Sequence, residues 1–431
     1  MGMGYVLKDC DYAISWINGE LRIIKNATVV IEDGLIAGIG EGAYSRGFEN
    51  IDCKDHILMP GLVNAHTHTP MSLFRGFFDD AELPLWLSKI WNVERELNYN
   101  IVSAASELSI IEMIMSGTTA FIDQYFYPQA TAEVVLKYGL RAALGPPFMD
   151  TMKDPKQVEN ELRNFASEYA SSQLIRPIIN VHSVYTVGRD TLLRIKELSD
   201  ELNLPIHIHA SETRDEVYEI KSKHGVFPVE YLNALGLMSS NLQLVHLGWV
   251  TNWELGIIAK AGAKVIHAPT SNMKLATAGH FPMRELMDMG VIIGIGTDGP
   301  ASNNSLDMFR EMKMAVLLQR HSYWDVGIKA HHVFKATTIN GYTILGLRGG
   351  CLDRGCVADV VLLDSKNPQL QPLRADNLLS NIVYSVDGSS VDLVLVNGRL
   401  IYEKSRDYYA LRERAVRLGK EINEFIGRFL P

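Results

Sequence analysis

A chain of 431 residues, 47% hydrophobic and 21% charged, carries enough apolar side chains for a core larger than one typical domain needs. Its net charge of -9 offers no general attraction to nucleic acid or to an anionic membrane, so the expected partner is a small molecule. Four cysteines, Cys10, Cys53, Cys351 and Cys356, are too few for a disulfide framework, and the last two lack the Cys-x-x-Cys spacing of a zinc or redox pair.

A reducing cytoplasm fits that usage. The start MGMGYVLKDCDYAISW lacks a basic leader followed by a long apolar stretch, and no window of about 18 uninterrupted apolar residues follows, so neither secretion nor membrane spanning is expected. Residues 5 to 60 read as short alternating strands, with Asp33-Gly34 in ATVVIEDGLIAGIG as a tight hairpin turn. From Gly61 the rhythm changes to short β-branched runs alternating with stretches of helical period. Eight runs are present, at 61–68, 118–125, 141–147, 176–185, 205–211, 242–248, 263–269 and 291–299. A helix over 101–116, closed by Gly117, typifies what lies between them. The pattern predicts a (β/α)8 barrel over residues 61–350. After residue 350 strands return at 357–364 and 391–403, so both chain ends, 1–60 and 351–431, are expected to build one small β-sandwich, followed by a polar helical tail from Ala410 to Phe429.

NAHTHTP, residues 64–70, sets His66 and His68 at the end of the first run. Among 13 histidines a His-x-His pair is common by chance, so placement must decide its meaning. His182, His209, His246, His267 and Asp298 also fall at the ends of runs, and in such a barrel those ends share one mouth. Neutral imidazoles plus a carboxylate are what a zinc-like divalent ion takes, and His66, His68, His209 and Asp298 supply that set. His207 competes for the strand-5 role, because residues two apart on a strand face the same way; His209 is preferred as the nearer to the strand's C-terminal end. His209 also opens HASE, setting Glu212 beside the site, where the plainer alternative is a first-turn acid of the helix TRDEVYEIKSK. INVHSVY holds no Lys to bridge a second ion, so one metal is the economical reading.

PGLVNAHTH, HASET, LVHLG and GTDGPASNNSLDM together resemble the amidohydrolase superfamily, and within it the methylthioadenosine and S-adenosylhomocysteine deaminases, over almost the whole chain. The resemblance implies ligation of one divalent metal, zinc before iron or manganese, by His66, His68, His209 and Asp298. It makes Glu212 the proton shuttle and lets His246 orient the attacking water. Trp86 and Glu94 would shape the nucleoside pocket, Glu94 binding ribose hydroxyls; His182 would contact the nucleoside, and Ser302 would lie beside Asp298. Trp86 has an equal alternative as an ordinary buried anchor. The family also implies a homo-oligomer, dimer or tetramer. One departure is visible: relatives that accept S-adenosylhomocysteine carry an Arg near the end of strand 3, where this chain reads RAALGPPFMD, and only Lys153 follows nearby. An apolar 5'-group is therefore expected.

The implied reaction is hydrolytic deamination at C6 of an adenine nucleoside, with Glu212 protonating N1 and Asp298 taking a proton from water. The same site could serve guanine, a pterin or an s-triazine, because fold alone does not define function. A third reading, a non-catalytic barrel scaffold, expects missing ligands, and none of the four is missing. The His-x-Glu and Pro-Cys-x-x-Cys signature of the editing deaminases is absent.

Overall fold

The alternation near the N-terminus becomes two long antiparallel strands, Gly4–Ile17 and Glu20–Glu32, in the computed structural model, which describes residues 4–40, 47–277 and 279–430. Asp33 and Gly34, with φ of 49° and 80°, make the two-residue turn into Leu35–Gly40, both in the left-handed region that matches the twist of paired strands. Val360–Asp364 pairs antiparallel with His56–Pro60 and brings Val391–Val396 and Arg399–Glu403 with it, so both chain ends enter one eight-stranded sheet. A buried ion pair ties this sheet to the parallel strands: Arg141 Nε donates to Asp359 Oδ2 at 2.6 Å, and Tyr342 donates to the same oxygen at 2.9 Å.

The eight runs of the middle segment are all strands, and all pair in parallel. Two of them break. Arg141–Leu144 and Pro147–Phe148 are separate because Pro146 and Pro147 have no amide hydrogen to donate, and Ile175–Pro177 parts from Ile179–Ser183 at the same level. The first halves complete a four-stranded sheet with Thr118–Asp123 and Leu62–Thr67. The second halves open a six-stranded sheet that runs on through Ile206–Ala210, Leu242–His246, Lys264–His267 and Ile293–Ile295.

Two seams join these sheets. At one, Ile178 donates to the Leu144 carbonyl at 3.0 Å, and Gly145 is obligatory because a Cβ there would stand 2.0 Å from the Ile178 carbonyl oxygen. At the other, the Asp298 amide donates to the His66 carbonyl at 3.0 Å, while Asn64 and Thr297 exchange bonds of 2.7 and 3.0 Å. A Cβ on Gly296 would lie 2.6 Å from both the amide nitrogen and the carbonyl oxygen of His66.

Helix Tyr99–Met115 starts on the Asn98 side chain and ends before Gly117 at φ 81°, close to the expected span. The tail helix begins earlier than expected, at Lys404, and runs to Ile426, putting Ile422, Phe425 and Ile426 into the apolar cluster that holds Trp86 and Met71. One expectation is corrected. Cys351 and Cys356 form a disulfide, because the turn between them brings their Cα atoms to 6.2 Å, a closeness that spacing alone did not reveal. Cys10 and Cys53 are free and buried. No helix among the described residues is long and apolar enough to cross a membrane.

Because Gly296 packs directly on the His66 backbone, Gly296→Ala is expected to cost about 1–3 kcal/mol through overpacking. The check is the urea midpoint at constant m value; a midpoint equal to the wild type's would mean the seam has room to part.

Candidate active site

Strand ends deliver imidazole and acid groups to one place. His66 lies in Leu62–Thr67 with His68 just beyond, His209 lies in Ile206–Ala210, His246 ends Leu242–His246, and Asp298 follows Ile293–Ile295. His66, His209, His246 and Asp298 each offer one atom within 4.8 Å of the others. His68 joins through Asp298, its Nε2 standing 3.1 Å from Oδ1. His66 Nε2 is 3.2 Å from that oxygen and 3.1 Å from His209 Nε2. Ser211, His246 and Asp298 all take positive φ (53°, 78° and 59°), a backbone cost that ordinary strand exits avoid.

The neighbours of each ring decide which nitrogen carries its proton. His68 Nδ1 is 2.6 Å from the Gln124 carbonyl, which can only accept, so Nδ1 keeps its hydrogen and Nε2 is left to present a lone pair to a cation, or to hold a proton against Asp298 when no cation is bound. Gln243 gives its amide hydrogen to the Ile344 carbonyl and accepts at Oε1 from His207 Nδ1, which leaves His207 Nε2 to accept from His66 Nδ1 at 2.8 Å. His66 Nε2 is therefore bare as well. Asp298 Oδ2 accepts from Ser271 at 2.5 Å and Ser302 at 2.9 Å, leaving Oδ1 to face the rings.

Buried acceptors facing one another require a shared positive charge. Burial pushes His66 and His209 well below the usual imidazole range, so both stay neutral. Against its own burial, Asp298 is held well below the usual carboxylate range by His66 and His68. Burial also opposes charge on His68, yet Asp298 raises it to about 9, a sign of how strongly this point draws positive charge. The donor set fits a divalent cation.

Glu212 stands just past Ile206–Ala210, its Oε1 3.9 Å from His246 Nε2. Burial raises its carboxyl, a tendency that His246 opposes and Asp298 reinforces. A cavity open at its mouth runs from these groups to Trp86, Glu94 and His182. Glu94 accepts from Tyr125 at 2.7 Å, and burial lifts it to about 7 with Tyr125 and His68 pulling the other way. His182 is tied at Nδ1 to Thr186 at 2.9 Å and lowered to about 3, chiefly by burial.

His68, Trp86, Glu94, His182, His209, Glu212, His246, Asp298 and Ser302 all line this cavity, whereas His66 is fully buried against His68 and His209. Trp86 is 5% exposed, lining the cavity and packing into an apolar cluster as a buried anchor. His207 turns out to hold His66, and His267 stacks face to face on Phe281, outside the cluster. His246, expected only to orient water, stands as close to the cluster as the expected ligands.

Sequence reasoning missed the supporting residues: Gln124 and Tyr125 after Thr118–Asp123, and Ser271 and Asn272 after Lys264–His267, the last bonded to His246 Nδ1 at 2.9 Å. Their position just past strand ends was the available signal. No Arg follows Arg141–Leu144 near the cavity; instead Arg95 and Lys153 line an adjoining cavity that shares Glu94, Phe126 and Pro147, with Lys153 paired to Glu161.

The chain matches the Amidohydrolase family over residues 57–401. It is 37% identical over 392 residues to a 5-methylthioadenosine/S-adenosylhomocysteine deaminase of Pyrococcus furiosus, covering 89% of this chain and 93% of that one. A 5'-deoxyadenosine deaminase of Methanothermobacter thermautotrophicus is 40% identical over 386 residues, covering 88% of this chain and 90% of the relative. Among solved structures, an adenosine deaminase from Xanthomonas campestris with bound zinc is similar at a TM-score of 0.90 and 31% identity, covering 98% of this chain and 99% of that one.

A divalent cation at 100 times its Kd is expected to stabilise the protein by about 2.7 kcal/mol, seen as a rise in Tm that a chelator reverses. His66→Ala and Asp298→Ala should abolish the rise. A wild-type Tm indifferent to both cation and chelator would contradict a cation site at this cluster.

Proposed function

The chain belongs to the amidohydrolase family, and from that premise we propose that it removes the 6-amino group of an adenine nucleoside by hydrolysis, releasing ammonia and an inosine-type product. The observation that carries this reading is the placement of Glu212, a partly buried carboxyl biased towards its protonated form, beside His246 and the His/Asp cluster at one end of the cavity. We read the two parallel sheets as one (β/α)8 barrel over residues 61–350, and the eight-stranded sheet as the small β-sandwich built from 1–60 and 351–431; the bonded seams and the mixed pairing of the chain ends support this.

His66, His68, His209 and Asp298 would hold one divalent cation, zinc before iron or manganese, as three imidazoles and a carboxylate favour. Such a cation, when bound, lowers the pKa of a coordinated water from 15.7 to about 7. Asp298, kept ionised and steadied at Oδ2 by Ser271 and Ser302, receives the proton that water loses on attacking C6. His246, whose Nδ1 is engaged by Asn272, directs Nε2 towards that water. Glu212 gives its proton to ring N1, which withdraws electrons from C6; as the C6–amino bond breaks, the proton held by Asp298 goes to the departing amino group to give ammonia, and the C6 hydroxyl proton passes to Glu212, leaving a C6 carbonyl and restoring both carboxyl groups.

At the other end of the cavity Glu94, fixed by Tyr125, accepts from the ribose hydroxyls, His182 contacts the nucleoside, and Trp86 forms the wall. Phe126, Pro147 and Met149 present apolar surface there, which suits a methylthio or deoxy 5'-group better than a charged amino-acid tail.

Glu212→Gln should lower kcat about 10²–10⁴-fold with the cation still bound, followed by the adenine-to-hypoxanthine absorbance change; near-normal turnover removes Glu212 from the mechanism. The raised Glu94 carboxyl predicts a pH effect with a definite sign. Below about 7 it is neutral and a poor acceptor, whereas above it is ionised, so KM for nucleosides should fall as pH rises through about 7. Free adenine should lack this dependence, as should Glu94→Gln with nucleosides; a flat wild-type profile would put the ribose elsewhere.

A further inference from the structure

Glu212 opens the short connection Glu212-Thr213 between Ile206–Ala210 with Ser211 and the helix Arg214–His224. Thr213 caps that helix, its Oγ1 accepting from the Glu216 amide at 3.0 Å. In an ordinary capping box the acid at the third helical position turns back onto the amide of the capping residue. Glu216 occupies that position but reaches further. Its Oε1 accepts from the Ser211 amide at 2.8 Å and its Oε2 from the Glu212 amide at 2.8 Å. It is only 3% exposed. Backbone amides only donate, so both Glu216 oxygens accept and this assignment has no alternative orientation.

The backbone so held is strained. Ser211 has φ 53°, a left-handed conformation disfavoured for an L-residue with a Cβ, and it sets the direction in which Glu212 leaves the strand. His246 ends the adjacent strand, in register with Ala210, and the Trp249 amide donates to the Ser211 carbonyl at 3.1 Å, so the carbonyl side of the turn is tied there while Glu216 grips its amide side. We propose that Glu216 is a positioning residue: by gripping the two consecutive amides that lead into Glu212, it holds the proton-carrying carboxyl in the arc where it meets both His246 and the substrate. The proposal rests on Glu212 being the proton carrier.

The test compares wild type with Glu216→Gln, Glu216→Ala, Thr213→Ala, Glu212→Gln and the double variant Glu212→Gln/Glu216→Gln on one adenine nucleoside. Glu216→Gln keeps the volume and one accepting oxygen but turns its other end into a donor that faces an amide. It should lower kcat about 10–100-fold with KM changed less than about threefold, as misplacement of a reacting group by about 1 Å does. Bound metal should be unchanged. Thr213→Ala weakens the helix cap without touching the Ser211 and Glu212 amides, so it should lower Tm and leave kcat alone. Hydrogen exchange supplies a readout free of turnover: the amides of Ser211 and Glu212 should exchange faster in both Glu216 variants and not in Thr213→Ala.

Acting through Glu212, the Glu216 substitution should cost nothing further when added to Glu212→Gln. The proposal is overturned if the folded Glu216 variants keep kcat within about threefold of wild type, if Thr213→Ala loses as much as they do, or if the double variant shows the full extra loss. A Glu212→Gln enzyme at wild-type speed sinks the proton-carrier reading and this proposal together. A slow Glu212→Gln beside a fast Glu216→Gln overturns this proposal alone.

Discussion

The constraint on which the site depends is the convergence of bare acceptors on Asp298 Oδ1. His66 Nε2 and His68 Nε2 both come within 3.2 Å of it, and His209 Nε2 comes within 3.1 Å of His66 Nε2. Such a cluster is stable in a protein interior only with positive charge at its centre, since each lone pair otherwise loses its water without gaining a partner. What makes it specific is the layer behind it. Gln124 turns His68, His207 and Gln243 turn His66, and two serine hydroxyls occupy the far oxygen of Asp298. Each of these bonds removes an alternative orientation, leaving one nitrogen or oxygen free to face inward.

That layer would be useless if the strands could slide. His66 and Asp298 sit on either side of the seam between the two parallel sheets, and the Asp298 amide bonds to the His66 carbonyl directly. Gly296 permits this approach, so the distance between a histidine and a carboxylate far apart in the chain is set by backbone contact and not by flexible side chains. On the outer side, the buried Arg141–Asp359 pair anchors the parallel strands to the sheet made from both chain ends. Removing either partner would strand a buried charge, so the small module also fixes the strands that carry the site.

Much of this was legible in the residues. Histidines at the ends of runs exposed the site because strand ends share one rim, and eight runs of alternating type exposed the parallel strands that deliver them. What stayed hidden depends on contacts between distant segments. The break at Pro146 could have been read locally, but the exchange of partners across it could not. The Cys351–Cys356 bond depends on a turn whose shape no spacing rule specifies. The positive φ at Ser211, His246 and Asp298 falls on residues that do not advertise it as glycine does. Gln124, Ser271 and Asn272 look like ordinary loop residues until the rings they orient are in view.

Three carboxyl groups of one cavity show why environment, more than residue type, assigns chemical work. Asp298, against its own burial, is held ionised by two imidazoles and is an acceptor throughout. Glu212 is partly buried and stands 3.9 Å from His246 Nε2, so the loss of solvent prevails and the group leans towards keeping its proton. Glu94, with a phenol on one oxygen and no cation in contact, sits near 7 and can change state in the ordinary working range. Under the proposed deamination, exchanging any two of these environments would put the proton on the wrong group: a permanently ionised Glu212 could not protonate N1, and a neutral Asp298 could not receive a proton from water. Asp298 Oδ1 stands 3.1 and 3.2 Å from two imidazole nitrogens and Glu212 Oε1 stands 3.9 Å from one, and over so small a difference the supporting bonds matter as much as the groups they support.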